Sequence, residues 1–202
     1  MTNSFDPDYQ NQHIENKIIV ALERVGEAFR VLLWQQGQVL KLSPIQIRIL
    51  IFCLFHSAEK CKVGYLAQEF NLDKSTISDS VKVLAQKELI ERLVSSEDAR
   101  TYTISLTDSG KKIAQQTASF AMPFEKPIEN LNDTQKEVLL VSLLELIHKL
   151  QQVGIISLQR MCFSCQFYEK QNQKHYCRFL STQLSNHDLR VDCPEYEMAK
   201  EN

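Results

Sequence analysis

The chain has 202 residues, with 23 Lys and Arg against 25 Asp and Glu, a net charge of −2, and 44% hydrophobic residues. That length suffices for one good core plus an appendage. The balance excludes a polybasic protein that grips polyanions by bulk charge, and the hydrophobic content excludes a disordered chain. No apolar run approaches the roughly 20 residues that span a bilayer, and the start MTNSFDPDYQ lacks the basic flank and apolar stretch of a secretory signal. A cytoplasmic location is expected, where six cysteines suggest metal or redox chemistry before structural disulfides.

Residues 1–12 read as a mobile N-terminal arm. From His13, apolar residues at Ile14, Ile18, Leu22, Val25, Phe29 and Leu32/Leu33 recur at helical spacing. This helix has little neighbouring sequence to pack on, so it is expected to pair with a second copy of the chain. Ser43-Pro44-Ile45-Gln46 is a helix start: Ser43 caps, Pro44 suits the first position, and Gln46 closes a capping box. Leu42 and Ile47 are spaced as a hydrophobic staple. The helix that follows is apolar on most sides and should be central, with Cys53 as a buried, inert thiol. Val63 to Asn71 is a short helix without a clear capping residue. Cys61, just before it, has no evident partner.

Asp73 is placed to cap a second short helix. Ile77, Val81, Val83 and Leu84 face inward, leaving Lys74, Ser75, Thr76, Ser78, Asp79 and Lys82 outside. Two helices joined by so short a turn form a helix-turn-helix. Period-two alternation of Tyr102, Ile104 and Leu106 then predicts a hairpin with Ile90 to Val94, its turn SSEDAR projecting. A polar-faced helix, followed at once by an Arg-tipped hairpin, matches duplex DNA: the helix fits the major groove and the hairpin the flanking backbone or minor groove. Asp98 and Arg100 are near enough to pair, which would hold the guanidinium ready for phosphate. From Asp73 to Lys112 seven basic residues meet seven acidic ones, so affinity would depend on placement rather than total charge. A helix begins at Thr107-Asp108-Ser109-Gly110 and runs to about Met122. Asn132 and Gln135 cap another, striped by Leu139, Leu143, Ile147 and Leu150 and widened by Val138 and Leu146.

The run Leu89-Ile90-Glu91-Arg92, then Asp98-Ala99-Arg100, then Ser105-Leu106-Thr107 with Gly110, resembles the multiple antibiotic resistance regulator (MarR) family of winged helix-turn-helix repressors. The resemblance covers roughly residues 13–153, with a DNA-binding core at about 43–107. It implies a mainly α fold with a small β-hairpin wing and long dimerisation helices. It also implies a homodimer on a pseudo-palindromic duplex, with half-sites ~34 Å apart. By the same resemblance Ser75, Thr76, Ser78 and Lys82 would meet bases or phosphates, Asp98 and Arg100 would act at the wing tip, and a small-molecule inducer or cysteine oxidation would release the DNA. Glu88 departs from the family's usual Gly, so the preceding helix is expected to end differently.

Residues 154–202 are a separate cysteine-rich appendage. Cys162-x2-Cys165, Cys177 and Cys193-Pro194 carry four of the six cysteines, with His175 and His187 among them. A Cys-x2-Cys turn lets two thiolates bind one ion, and two distant thiolates complete a tetrahedron. Zinc is the expected cofactor, with an iron–sulfur cluster as the alternative; either His could replace one Cys. Phe163, Phe167, Tyr168, Tyr176 and Phe179 would form a small core, and Arg160, Lys174 and Arg178 would offset thiolate charge. With no glycine-rich nucleotide loop and no placeable nucleophile–base pair, catalysis is not expected. A winged-helix protein–protein adaptor that has lost DNA binding and an iron–sulfur redox sensor remain as alternatives.

Overall fold

The computed structural model describes residues 3–94, 102–157, 159–172 and 174–199. In chain order the helices are α1 (Pro7–Gln12), α2 (Ile14–Leu40), α3 (Pro44–Phe55), α4 (Val63–Glu69) and α5 (Lys74–Gln86). A two-stranded wing follows, β1 (Ile90–Val94) and β2 (Tyr102–Leu106), then α6 (Asp108–Ala118). A 3-10 stretch (Ser119–Phe124), α7 (Glu125–Glu129) and α8 (Asp133–Gln152) lead into the C-terminal segment. That segment holds a small antiparallel sheet of β3 (Tyr168–Gln171), β4 (Lys174–Cys177) and β5 (Thr182–Leu184), in that order.

Within the stretch expected as an arm, α1 is a short helix whose N-cap, Asp6, accepts from the Asp8 N–H at 3.0 Å. The local start signals act as read elsewhere. Ser43 Oγ accepts from the Gln46 N–H and Gln46 Oε1 from the Ser43 N–H. Asn132 and Gln135 close the same reciprocal pair at 2.9 and 3.0 Å. Leu42 and Ile47 are both buried, as a staple requires. Asp73 occupies the N-cap position of α5, but its side chain makes no capping hydrogen bond.

Central α3 buries Ile47, Ile49, Leu50 and Phe52 against Leu66, Ile77, Val81, Leu84, Ile90, Ile104 and Ala114. Each such aliphatic side chain contributes about 2 kcal/mol relative to exposure. The wing pairs in register Ile90↔Leu106 through Val94↔Tyr102, and Ile104 and Leu106 turn inward as the alternation required. Its base is tied to the core by the Ile104 N–H, which donates to the Cys61 carbonyl at 2.8 Å.

Cys61 is buried, and its thiol donates to the Ser57 carbonyl at 3.4 Å. The neighbouring Cys61 thiol and burial together hold half-buried Cys53 well above the ordinary thiol range, as suits an inert thiol.

The end of α5 is also corrected. Glu88 adopts φ +57°, its N–H donates to Ala85 O, and the Leu89 N–H donates to Leu84 O, both at 3.0 Å. This is the left-handed Schellman stop, kept despite a side chain that makes such a conformation costly by about 1 kcal/mol. The Thr107 hydroxyl donates to the Glu88 carbonyl at 2.8 Å and fastens the stop to the start of α6.

Among the described residues no single helix is long and apolar enough to cross a membrane. The helix expected as one apolar stripe, α8, in fact has two apolar faces. Leu140, Val141, Leu144 and Ile147 pack on Met161, Leu184 and Leu189 of the C-terminal segment. Val138, Leu139, Leu143 and Leu146 face a wide cleft whose other wall is Ile18 and Leu22 of α2. Ile147 therefore belongs to the covered face, and Leu144 is the residue of α8 that is fully buried.

Candidate nucleic-acid interface and cysteine site

Helix α5 meets α4 through a four-residue turn in which Asn71 takes φ +53° and the Leu72 N–H caps the Ala67 carbonyl at 2.9 Å. Ile77, Ser80, Val81 and Leu84 face the core. The opposite side therefore shows Lys74, Ser75, Thr76, Asp79 and Lys82 exposed and Ser78 half-buried. All six expected residues of α5 thus share one accessible face. Lys82 Nζ lies 2.8 Å from Asp79 Oδ1, an exposed pair worth at most about 1 kcal/mol, which a phosphate can displace. The wing-tip residues Asp98 and Arg100 lie outside the described residues. In the middle of β1 Arg92 is exposed and lies over the Tyr102 ring, 5.1 Å from its centroid. Sequence reasoning gave Arg92 no role; it pairs with Ile104 across the wing and reaches Tyr102 on the diagonal.

In the C-terminal segment Cys162, Cys165, Cys177 and Cys193 line one cavity of about 30 Å³. Four backbone hydrogen bonds build it. The Cys165 N–H donates to Cys162 O at 3.0 Å, closing the Cys-x2-Cys turn. The Cys162 N–H donates to Arg190 O at 3.1 Å, the Cys193 N–H to Arg160 O at 2.8 Å, and the Arg178 N–H to Phe167 O at 2.8 Å. Two sulfurs receive donors: the Arg190 N–H reaches Cys162 Sγ at 3.2 Å and the Arg190 guanidinium reaches Cys193 Sγ at 3.5 Å. Burial pushes the Cys162 and Cys193 thiols up, and these Arg190 contacts oppose it. Among the described residues no three His, Cys, Asp or Glu side chains stand gathered as the ligands of one ion. The four thiols share a cavity, with the sulfurs of Cys162 and Cys193 turned to hydrogen-bond partners; a cysteine sulfur changes place by rotation about one bond.

The expected charge-balancing cations lie elsewhere. Arg178 pairs with Glu169 at 3.0 Å, and Arg160 is buried in a separate network. Arg190, three residues after His187, faces the thiols instead. Neither histidine lines the cavity. His175 is buried, with the Tyr168 hydroxyl donating to its Nδ1 at 2.6 Å, and His187 pairs with Glu137 of α8 at 2.7 Å. Of the expected aromatic core, Phe163 and Tyr168 pack beneath α8, while Phe167 and Phe179 meet at 5.4 Å.

Residues 40–101 match the sequence model of the MarR family. A search of curated proteins found no match. Among solved structures, the chain is similar to a MarR/EmrR family transcriptional regulator from Acinetobacter sp. ADP1, with 27% identity and a TM-score of 0.57, covering 69% of this chain and 99% of that one. It is also similar to FabT of Streptococcus pneumoniae solved in complex with DNA, at 20% identity and TM-score 0.58 over 69% of this chain and 99% of that one. MepR of Staphylococcus aureus, solved as a DNA complex, matches at 20% identity and TM-score 0.58 over 64% of this chain and 96% of that one. These neighbours are matched almost end to end, while about a third of this chain has no counterpart in them. Over about two thirds of its length, then, the chain has the winged-helix fold of MarR-type regulators, and residues 40–101 carry the sequence pattern of that family.

Proposed function

We propose that the protein is a sequence-specific double-stranded-DNA-binding transcriptional regulator, a repressor, acting in the cytoplasm as a homodimer on a pseudo-palindromic site. The observation that carries this is the accessible face of α5, with Lys74, Ser75, Thr76, Ser78 and Lys82 together on one side, beside a two-stranded wing. The FabT and MepR neighbours, which share the fold, were solved with DNA. Hydroxyls and ammoniums on α5 read base edges and phosphates in the major groove. Arg92, laid on Tyr102, and Arg100 at the wing tip meet the adjoining backbone or minor groove. The second copy is held by the unpaired apolar faces of α2 and α8.

The test is a salt titration of duplex binding. Lys74, Lys82, Arg92 and Arg100 from each of two subunits neutralise about eight phosphates, so log affinity should fall with log salt at a slope near −7. Arg100→Ala should weaken binding to all sequences alike and flatten that slope by about 2. A loss confined to one base position contradicts the wing's role, and a duplex affinity that is weak at every salt would point to a protein–protein adaptor instead.

We infer further that the four tail cysteines hold one zinc ion. The support is their convergence on a single cavity of about 30 Å³, which fits one small ion rather than a multi-iron cluster, and the N–H donors that Arg190 aims at two of the sulfurs. Colourless protein with one zinc per chain is expected, and Cys165→Ser should lower that content by elemental analysis. A brown protein containing iron and sulfide would favour the cluster, and unchanged zinc in Cys165→Ser would remove Cys165 from the ligand set.

A further inference from the structure

The C-terminal segment does not hang free of the winged helix. The Asn71 amide, in the turn between α4 and α5, donates to the Ile155 carbonyl at 3.3 Å, and the Ser157 hydroxyl donates to the Gln68 carbonyl. Arg160 completes the attachment, with only 4% of its side chain exposed. Its Nε and Nη2 grip Asp192 at 2.7 and 2.9 Å. Its Nη1 binds Glu69, the last residue of α4, and Tyr65 Oη at 3.2 Å. The guanidinium also lies 5.2 Å from the Phe52 ring centroid, and His56 at the end of α3 meets Asp192 at 2.8 Å. Asp192 immediately precedes Cys193, and Arg160 stands two residues before Cys162. The two segments carrying those cysteines are joined by backbone bonds, the Cys193 N–H donating to Arg160 O and the Cys162 N–H to Arg190 O.

We propose that the thiol site is a metal-sensing site whose loading state is transmitted to the DNA-binding helices through an Asp192–Arg160–Glu69 latch. This rests on the zinc reading and the regulator reading above. An ion ligated by Cys162 and Cys193 fixes the two segments against each other and so presents Asp192 to Arg160. Arg160, held from one side, then clamps Glu69 and with it α4, the helix on which α5 is mounted. Without the ion the two segments separate, Asp192 is withdrawn, and the remaining Arg160–Glu69 contact no longer ties α4 to a rigid body. Loaded protein is the DNA-binding form.

The test uses the full chain, loaded with zinc or stripped by a chelator. Two quantities are read: hydrogen exchange of the α4 amides, and affinity for a duplex selected by loaded protein from a random pool. Stripping should speed exchange in α4 as well as in the tail and lower affinity about 10- to 100-fold, the range of ordinary allosteric coupling. Asp192→Asn and Arg160→Met, the second keeping an apolar stem over Phe52, should each still bind one zinc per chain. Loaded, both should already show fast α4 exchange and weak DNA binding, and stripping them should add little further loss. The latch is overturned if stripping alters exchange in the tail alone, if affinity is unchanged or rises, or if both variants behave as wild type. If no zinc binds, the metal reading and the latch fall together. If loaded protein selects no duplex, the regulator reading falls and the latch as a DNA-binding control falls with it; slow α4 exchange on loading would then leave only a structural brace.

Discussion

Substituting Asp for both Ile18 and Val138 is expected to leave a folded monomer that no longer holds a two-half-site duplex. The two side chains are 52% and 62% exposed in the single subunit, so the subunit itself loses little by the change. Both line the cleft between α2 and α8, with Leu22, Leu139, Leu143 and Leu146. Contiguous apolar surface of this kind is rarely left to water, and two long helices repeated by a twofold axis give an interface of the obligate class. In such a dimer each Asp occurs twice and is desolvated without a partner, costing several kcal/mol per site. At about 1.4 kcal/mol per decade, dimer affinity falls by a thousandfold or more. Without the second recognition helix, duplex affinity loses the avidity of linked sites, about 100-fold at least. Light scattering with an unchanged circular dichroism melt checks the first step and duplex binding the second. A variant that remains dimeric would remove these faces from the interface.

What could be read from the chain alone was whatever is encoded within a few residues. Ser43 with Gln46, and Asn132 with Gln135, are pairs three apart, and each makes the reciprocal cap that their types allow. Tyr102, Ile104 and Leu106 carry the wing's period of two, and the inner positions of α5 carry the helical period that leaves its polar face outward. Glu88 shows where a local rule misleads. A Glu argues against a left-handed stop, but Thr107 and the Leu84 carbonyl hold it there, and neither is a near neighbour in a form that pattern reading weighs.

The features that escaped depend on contacts between distant stretches. β3, β4 and β5 read YEKQ, KHYC and TQL, too short and polar to show a strand's alternation. Leu144 lies on a face of α8 that looks surplus until Met161, Leu184 and Leu189 are laid over it. The Arg160 network joins residues 91 to 104 positions apart in the case of Glu69, Tyr65 and His56. No spacing within the tail announces that its first arginine belongs to α4 rather than to the thiols.

The largest stability loss is expected from Gly110→Ala. A Cβ built on Gly110 would stand 1.8 Å from the Leu89 carbonyl oxygen and 2.9 Å from its carbon. Both are backbone atoms, so no side-chain rotation relieves the clash. Leu89 directly follows the left-handed stop at Glu88, leads into β1, and accepts from the Thr107 N–H at 3.2 Å. Gly110 itself donates its N–H to Thr107 Oγ1 at 3.0 Å. To admit a methyl group, the first turn of α6 must withdraw from the base of the wing, loosening the Thr107 cap and the Thr107 hydroxyl's bond to Glu88 together. Overpacking of this kind costs about 3 kcal/mol, against about 1 kcal/mol for losing a cap alone. Gly26→Ala is the matched comparison: the site lies within α2, nothing stands within 4 Å of the added atom, and the change should stabilise by about 1 kcal/mol. Urea midpoints of the two variants should therefore move in opposite directions, and folded Gly110→Ala should bind DNA more weakly because its wing is no longer seated. An unchanged midpoint for Gly110→Ala would mean that the packing of α6 against Leu89 is not what holds the wing to the helix-turn-helix.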